Sequence, residues 1–516
     1  MSRHSLRRSV TGAPTPDEVV TAWLRTLTDS VPTEFPGAVE CPALAWAGSG
    51  AMALTGHPEA APDLSPAPAF ALLGAALRAL SWVTGEIGSR VDLEPGAVLT
   101  VRAEEGGLRR AGRRSAGGAS RLVRTADGWC ALTLGRRDDI EAVPALLGGV
   151  FEGDAWVAIE AAAAGFGARV LAERAQLLGI PAAALDLPER GAQLRRNTLP
   201  WKVSRVAAPG AERSLRGLVV VDLTSMWAGP LCGRILGAAG AHVIKVESPH
   251  RPDGARANPG FFDWLHAGQE FRTVDFRTSA GRTALAHLLD SADVVLEASR
   301  PRALAQLGLA PEDRTHRDGQ IWLSLTGYGR SEPLRVAFGD DAAVAGGLVG
   351  GHHGEPVFCA DAIADPLSGV CAALAVASAR RSGGGVLIDL SMRDTAAAFA
   401  TAPPLTHGPH TVRDHDGTWV VECPLAQGHH PVREPEPRSP WCTPCPADAQ
   451  GANAARTNPR DIDDANAHAH STNAPGTNPH STNAASTNRH STSALSTDPH
   501  SIDDTGSNPH SGMASA

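Results

Sequence analysis

A chain of 516 residues, 42% hydrophobic and 20% charged, has room for two or three domains and enough apolar material for a sizeable core in part of its length. A formal net charge of −9 without a basic stripe argues against nucleic acid as a main partner. The opening MSRHSLRRSVTGAP is basic but no long apolar run follows, so neither a secretory signal nor a membrane span is expected; eight cysteines without a framework are expected as free thiols of a cytoplasmic enzyme, with no metal site.

Residues 1–35 are expected as a helical lead, and 36–205 as a separate alanine-rich region. Within that region 69–84 (AFALLGAALRALSWVT) predicts a helix with one apolar face, and 154–178 predicts one or two more. The most informative stretch is 218–247 (LVVVDLTSMWAGPLCGRILGAAGAHVIKVE). Its first β-branched run, 218–222, suits a buried parallel strand. A loop with Gly229 and Pro230 follows, then a helix from about Leu231 to Ala239 that ends at Gly240, and a second strand over 241–246. Such a βαβ unit binds anionic groups at the carboxyl ends of its strands, beside the helix N-terminus. The first turn lacks GxGxxG, so the dinucleotide fingerprint is absent.

The ordered pattern of this stretch resembles the opening of the family III CoA-transferases (the CaiB/BaiF family), D-x-(S/T)-x-x-x-A-G-P followed by L-G-A-x-V-I-K-V-E. Further likenesses follow in the family's order: Asp253 to Arg256, then 292–297 with Arg300, Pro301 and Leu307 to Leu309, the strand and glycine turn of 321–329, Ala364 to Val370, and 381–392. Together they span roughly 218–400. The resemblance implies an α/β fold with a Rossmann-like parallel-sheet CoA-binding domain over 215–400 and a smaller α+β domain. It further implies an acyl-CoA:carboxylate CoA-transferase working as a homodimer on an acyl-CoA and a carboxylic acid acceptor, with no permanently bound cofactor and a coenzyme A thioester as substrate. Residues 125–134 (TADGWCALTL) resemble the strand that opens the family's small domain, here placed ahead of the CoA-binding segment. A partial duplication and a permutation both account for that order; a similar strand at 416–423 favours duplication.

Asp365 is the candidate nucleophile. A carboxylate can attack a thioester to give a mixed anhydride, and returning CoA thiolate converts it to an aspartyl-CoA thioester, provided N–H groups stabilise the developing charge. Local sequence alone reads Asp365 as an N-cap before an apolar helix over 370–379. The resemblance implies catalysis, and Asp361 is the decoy. Met226, Trp227, Ala228, Arg256 and Arg300 are the candidate cofactor-binding residues, with Lys245, Arg272 and Arg302 as further cations for nucleotide phosphates.

The family's racemases carry G-H-D where this chain reads Gly339-Asp340-Asp341, which disfavours a racemase; His352 and His353 are the nearest substitutes. Other departures are Trp227 in the first loop, Gly268-Gln269-Glu270 in place of a basic cluster, and Ala298 in place of asparagine. They favour a third reading, a catalytically inactive CoA-ester-binding partner of an active paralogue. From about Pro424 the composition turns to Pro, His, Asn, Ser and Thr, with histidines every ten residues from His470 to His510, and a disordered tail is expected over 424–516. Cys442 and Cys445 in that stretch have no second pair to complete a metal site.

Overall fold

Four helices come first: α1 (Pro16–Leu24), α2 (Pro42–Gly48), α3 (Ala67–Ile87) and α4 (Pro95–Gly106). Their ends are set locally. Thr15 and Glu18 form a capping box on α1, and the Glu94 carboxylate accepts from the Gly96 and Ala97 N–H groups to start α4, which Gly107 ends in the left-handed conformation. The computed structural model describes residues 13–37, 40–186, 198–352 and 354–436. The predicted helical lead is therefore represented by α1 alone, and His353, the Cys442–Cys445 pair and the repeating histidines lie outside the described residues.

A three-stranded antiparallel sheet follows, β1 (Ser120–Arg124), β2 (Trp129–Thr133) and β3 (Ala182–Ala184), in the order β1-β2-β3. Between β2 and β3 run α5 (Arg137–Glu141), α6 (Val143–Leu147), α7 (Ala155–Ala163) and α8 (Ala168–Leu177). The period-two alternation of strands divides the side chains cleanly. Val123, Cys130 and Leu132 pack with Leu146, Ile159 and Leu171, while Leu122, Trp129 and Ala131 turn the other way onto Val344 and Phe358.

The remaining elements are β4 (Trp201–Arg205), β5 (Val219–Asp222), α9 (Ala228–Ala238), β6 (His242–Glu247), α10 (Pro259–His266), β7 (Glu270–Thr273), α11 (Ser279–Ser291), β8 (Val294–Glu297), α12 (Pro301–Ala305) and β9 (Ile321–Thr326). After them come α13 (Gly339–Ala345), the short hairpin β10 (Gly350–His352) and β11 (Glu355–Val357), α14 (Ala364–Arg381), β12 (Val386–Ser391) and α15 (Met392–Ala400), then the hairpins of β13 (Thr411–His415), β14 (Thr418–Cys423) and β15 (Ala426–Pro431). Seven strands form one mixed sheet in the order β4-β12-β9-β8-β5-β6-β7. All neighbours are parallel except β4, which runs antiparallel along β12 from Trp201↔Leu390 to Arg205↔Val386. The predicted βαβ unit is present as β5-α9-β6, with α9 starting three residues earlier than expected because Gly229 and Pro230 occupy its first turn.

Two expectations are corrected. The helix expected over 370–379 begins at Ala364, so Asp365 lies within its first turn. Residues 426–431, placed in the expected tail, form β15 and pair with β14. The polar composition there hid a strand whose partner buries Val420 and Val421.

One core joins the N-terminal helices to the sheet. Leu72, Leu73, Ala76 and Leu80 of α3 share it with Val370, Leu374 and Ala377 of α14 and with Leu231 and Ile235 of α9. Residues 36–205 are thus distributed: 42–106 pack into this core, 120–184 form the antiparallel sheet, and 201–205 complete the main sheet. Helix α3 is long and apolar enough to cross a membrane, but 72% of its most apolar window is buried against the protein.

Candidate functional site

The approach to α14 is strained. Ala360 and Ala362 adopt φ of 51° and 42°, a left-handed conformation that costs a residue with a Cβ about 1–2 kcal/mol. Two non-glycine residues so placed within three positions bend the chain sharply ahead of the helix. Asp365 emerges one turn later, with its own N–H donating to the Ala362 carbonyl. Ile363 is the N-cap of α14 and makes no side-chain cap bond, so the N-cap reading of Asp365 is overturned.

The Asp365 carboxyl turns instead toward the backbone of Gly339, the first residue of α13, whose N–H favours its charged form. A Cβ on Gly339 would stand 2.4 Å from Asp365 Oδ2 and 2.3 Å from the Ala362 carbonyl oxygen, so only glycine permits this approach. Asp365 is partly exposed and has no cation partner among the described residues. Burial pushes its carboxyl up to about 7; the Arg102 guanidinium and the Gly339 N–H act against that push, while Asp340 and Asp361 reinforce it.

Asp361, the decoy, is differently placed. Its side chain is fully buried and held in two-point contact by Arg102, with Nε to Oδ2 at 2.7 Å and a second bond from Nη2 to Oδ1. The same guanidinium lies 5.4 Å from the ring centre of Trp227. Asp340 accepts from Ser120 Oγ at 2.9 Å and from the Ala362 N–H at 3.1 Å, and burial, with Asp361 nearby, raises its carboxyl above the ordinary range. Asp341 accepts from Thr133 Oγ1 at 3.0 Å and the Phe338 N–H at 2.9 Å, and burial pushes it up to about 8. Ser120 and Thr133 are themselves 2.9 Å apart. Three aspartates from α13 and the loop before α14 are therefore fixed by β1, β2 and α4, all of them from the first third of the chain. Asp365 is the one of the four that is partly exposed, while Asp341 Oδ2 is buried without a hydrogen-bond partner.

The predicted nucleotide-binding residues separate into three groups. Trp227 and Ala228 are buried at the start of α9, the indole against Phe261 and the Ala228 carbonyl 2.7 Å from where a Cβ of Gly369 would lie, one helical turn beyond Asp365. Met226 is 37% exposed at φ 75°, and its N–H is already engaged by Asp253 Oδ1 at 2.9 Å. Arg256 pairs with Glu247 and stacks 4.1 Å over Phe262, and Arg272 pairs with Glu270. Arg300 begins α12 and carries no carboxylate partner among the described residues; burial and its neighbours Arg302, Arg136 and Arg251 pull its guanidinium below the usual range. Lys245 is corrected as a phosphate candidate. Its side chain is fully buried, donates to the Thr224 carbonyl and pairs with Asp253 at 3.1 Å, an internal tie across the loop after β5.

Arg102, Ser120 and Thr133 escaped the sequence reading because they lie more than 200 residues from the aspartates they hold. An arginine within the apolar run of α4 was their one local signal. A cavity of about 780 Å³ lies elsewhere, lined by His57, Asp63, Glu355, Leu405 and His410 among others, and Asp365 is not part of its wall.

Residues 215–420 match CoA-transferase family III. A probable fatty acyl-CoA transferase of Mycobacterium tuberculosis is 33% identical over 214 residues, covering 38% of this chain and 54% of the relative. The succinate–glutarate CoA-transferase of Agrobacterium fabrum is 32% identical over 214 residues, covering 37% and 54%. A solved CaiB/BaiF family protein from Brucella suis is 31% identical over 37% of this chain and 55% of its own, with a TM-score of 0.33. The chain spans about half the length of the curated relatives it matches. Residues 215–420 are thus the part of the chain that is similar to CoA-transferase family III.

Proposed function

We propose that the protein is an acyl-CoA:carboxylate CoA-transferase whose nucleophile is Asp365. An Asp365 oxygen attacks the donor thioester carbonyl, the C–S bond breaks, and CoA leaves as the thiolate, giving an aspartyl–acyl mixed anhydride. The thiolate then attacks the aspartyl carbonyl and the donor acid departs as its carboxylate, leaving an aspartyl-CoA thioester. The acceptor carboxylate attacks that thioester, CoA leaves again, and its thiolate takes the acceptor acyl group, restoring Asp365. No proton is gained or lost over the cycle.

The observation that carries this reading is the contrast between two neighbouring carboxylates: Asp361 locked by Arg102, Asp365 unpaired beside a helix N–H and raised to about 7. A more basic carboxylate is the better nucleophile, and the Gly339 N–H at the start of α13 is placed for negative charge on the attacked group. For the nucleotide end, the reading uses a Rossmann-like arrangement. From β7 to β12 the order reverses at β5, where β6 lies on one side and β8 on the other, and ligands of such sheets bind at the carboxyl ends of the strands at that reversal. The loop after β5 holds Met226 and Trp227, and the loop after β8 holds Arg300, with Arg251 and Arg302 close enough to reinforce its charge on a phosphate.

One of the two relatives named above is a succinate–glutarate CoA-transferase, so succinyl-CoA with glutarate is the first pair to test. Peptide mass spectrometry after incubation with acyl-CoAs and hydroxylamine checks the proposal. A hydroxamate on the peptide holding Asp365, absent from Asp365→Ala, supports it; CoA binding without any adduct refutes it.

A further inference from the structure

Cys41, His407, His410 and Cys423 meet at one point although 382 residues separate the two cysteines in sequence. Cys41 precedes α2 as an N-cap that makes no side-chain cap bond, Cys423 ends β14, and the histidines belong to the loop between α15 and β13. Their ligand atoms all lie within 4.8 Å of one another. Cys41 Sγ stands 3.8 Å from Cys423 Sγ and 3.3 Å from His410 Nε2, and Cys423 Sγ stands 3.4 Å from His407 Nε2.

A tetrahedral zinc ion with bonds of about 2.3 Å to sulfur and about 2.0 Å to nitrogen sets its ligands about 3.8 Å apart for two sulfurs and about 3.5 Å apart for sulfur and nitrogen. Three of the six edges match that polyhedron to within about 0.2 Å, and the other three are no longer than 4.8 Å. The sulfur separation is far from the roughly 2.05 Å of a disulfide. We infer that Cys41, His407, His410 and Cys423 form a closed structural site for a tetrahedral divalent cation of the zinc class. With two thiolates and two imidazoles there is no open position, so its role is structural. The ion pins the 407–410 loop, one wall of the 780 Å³ cavity, to the residue that opens α2 and to the C-terminal hairpin.

This inference is independent of the reaction at Asp365. The test is a cobalt(II) titration of the reduced full-length protein, followed by displacement with zinc. Thiolate ligation in a tetrahedral field gives intense visible bands and a sulfur-to-cobalt charge-transfer band that the histidine-rich C-terminal stretch cannot imitate. One equivalent of cobalt with these bands, bleached by zinc, is expected in the wild type and in a Cys442→Ser/Cys445→Ser variant, while Cys41→Ser and His410→Asn alter or abolish them. No such bands in the reduced wild type, their loss in the Cys442→Ser/Cys445→Ser protein, or their persistence unchanged in Cys41→Ser overturns the inference. The wild-type titration decides even if the ligand variants do not fold.

Discussion

Replacing Arg102 by methionine keeps an unbranched apolar stem but removes the guanidinium that lies over Trp227 and leaves the fully buried Asp361 carboxylate without its counter-charge, between Asp340 and Asp365. Breaking a buried pair by removing one partner costs about 3–5 kcal/mol, because an uncompensated charge remains. Arg102 is itself 28% exposed, so water screens part of the loss and the lower end, about 3 kcal/mol, applies. Denaturant unfolding at pH 7.5 measures it. In the double variant Arg102→Met/Asp361→Asn both charges are gone, and most of the loss should return. The same pair of variants tests the electrostatics of the proposed nucleophile. Arg102 holds the Asp365 carboxyl down, so its removal alone should move the activity profile to higher pH, and removing Asp361 as well should bring it part of the way back. A single variant within about 1 kcal/mol of wild type, or a double variant no more stable than the single, would show that the pair does not organise this site.

The remaining predictions concern the same neighbourhood. Turnover should rise with pH through about 7 and then level off, since only the ionised Asp365 attacks a thioester; a profile flat from pH 5 to 9 contradicts this. The folded protein holds a proton on Asp365 up to about pH 7, whereas an unfolded aspartate releases it near 3.9, so stability falls as pH rises between the two values. Asp365→Asn, inactive, should therefore be more stable than wild type at pH 8 by on the order of 2 kcal/mol and equal to it at pH 4. Gly339→Ala forces a Cβ against the Ala362 backbone as well as Asp365, and should lose roughly 2 kcal/mol of stability and at least about tenfold in turnover, read from unfolding and steady-state assays. Arg300→Ala should weaken CoA binding about tenfold by calorimetry and flatten its salt dependence while leaving the unfolding midpoint unchanged.

How much of this was legible depended on range. The β5-α9-β6 unit and the β9 strand were readable because each is written in a few contiguous residues whose periodicity survives without context. The surroundings of Asp365, the proposed nucleophile, were not. Asp361 and Asp365 look equivalent as a string, four residues apart, and only the arrival of Arg102 from α4 separates them. Lys245 failed as a phosphate ligand for a similar reason: its partners are Asp253, beyond the loop after β6, and the Thr224 carbonyl in the loop after β5. The cysteine and histidine cluster was invisible because its spacing in sequence follows no metal-site pattern. β15 was missed because a strand with one exposed face and a polar composition carries almost no hydrophobic signal.

The antiparallel edge strand β4 has a consequence for how the chain is made. It is synthesised early, yet its hydrogen-bonding partner β12 leaves the ribosome about 180 residues later, together with α14, the helix on which α3 packs. Until then part of the apolar face of α3, and that of β4 with Trp201, has no surface to close against. Residues 120–184 close their own core earlier, but the core shared by the N-terminal helices and the main sheet waits for α14 and β12, by contacts of high sequence separation that are slow to form. A nascent chain halted before residue 386 should remain protease-sensitive throughout its N-terminal helices and bind holding chaperones, whereas one released beyond β15 should close in a single cooperative step.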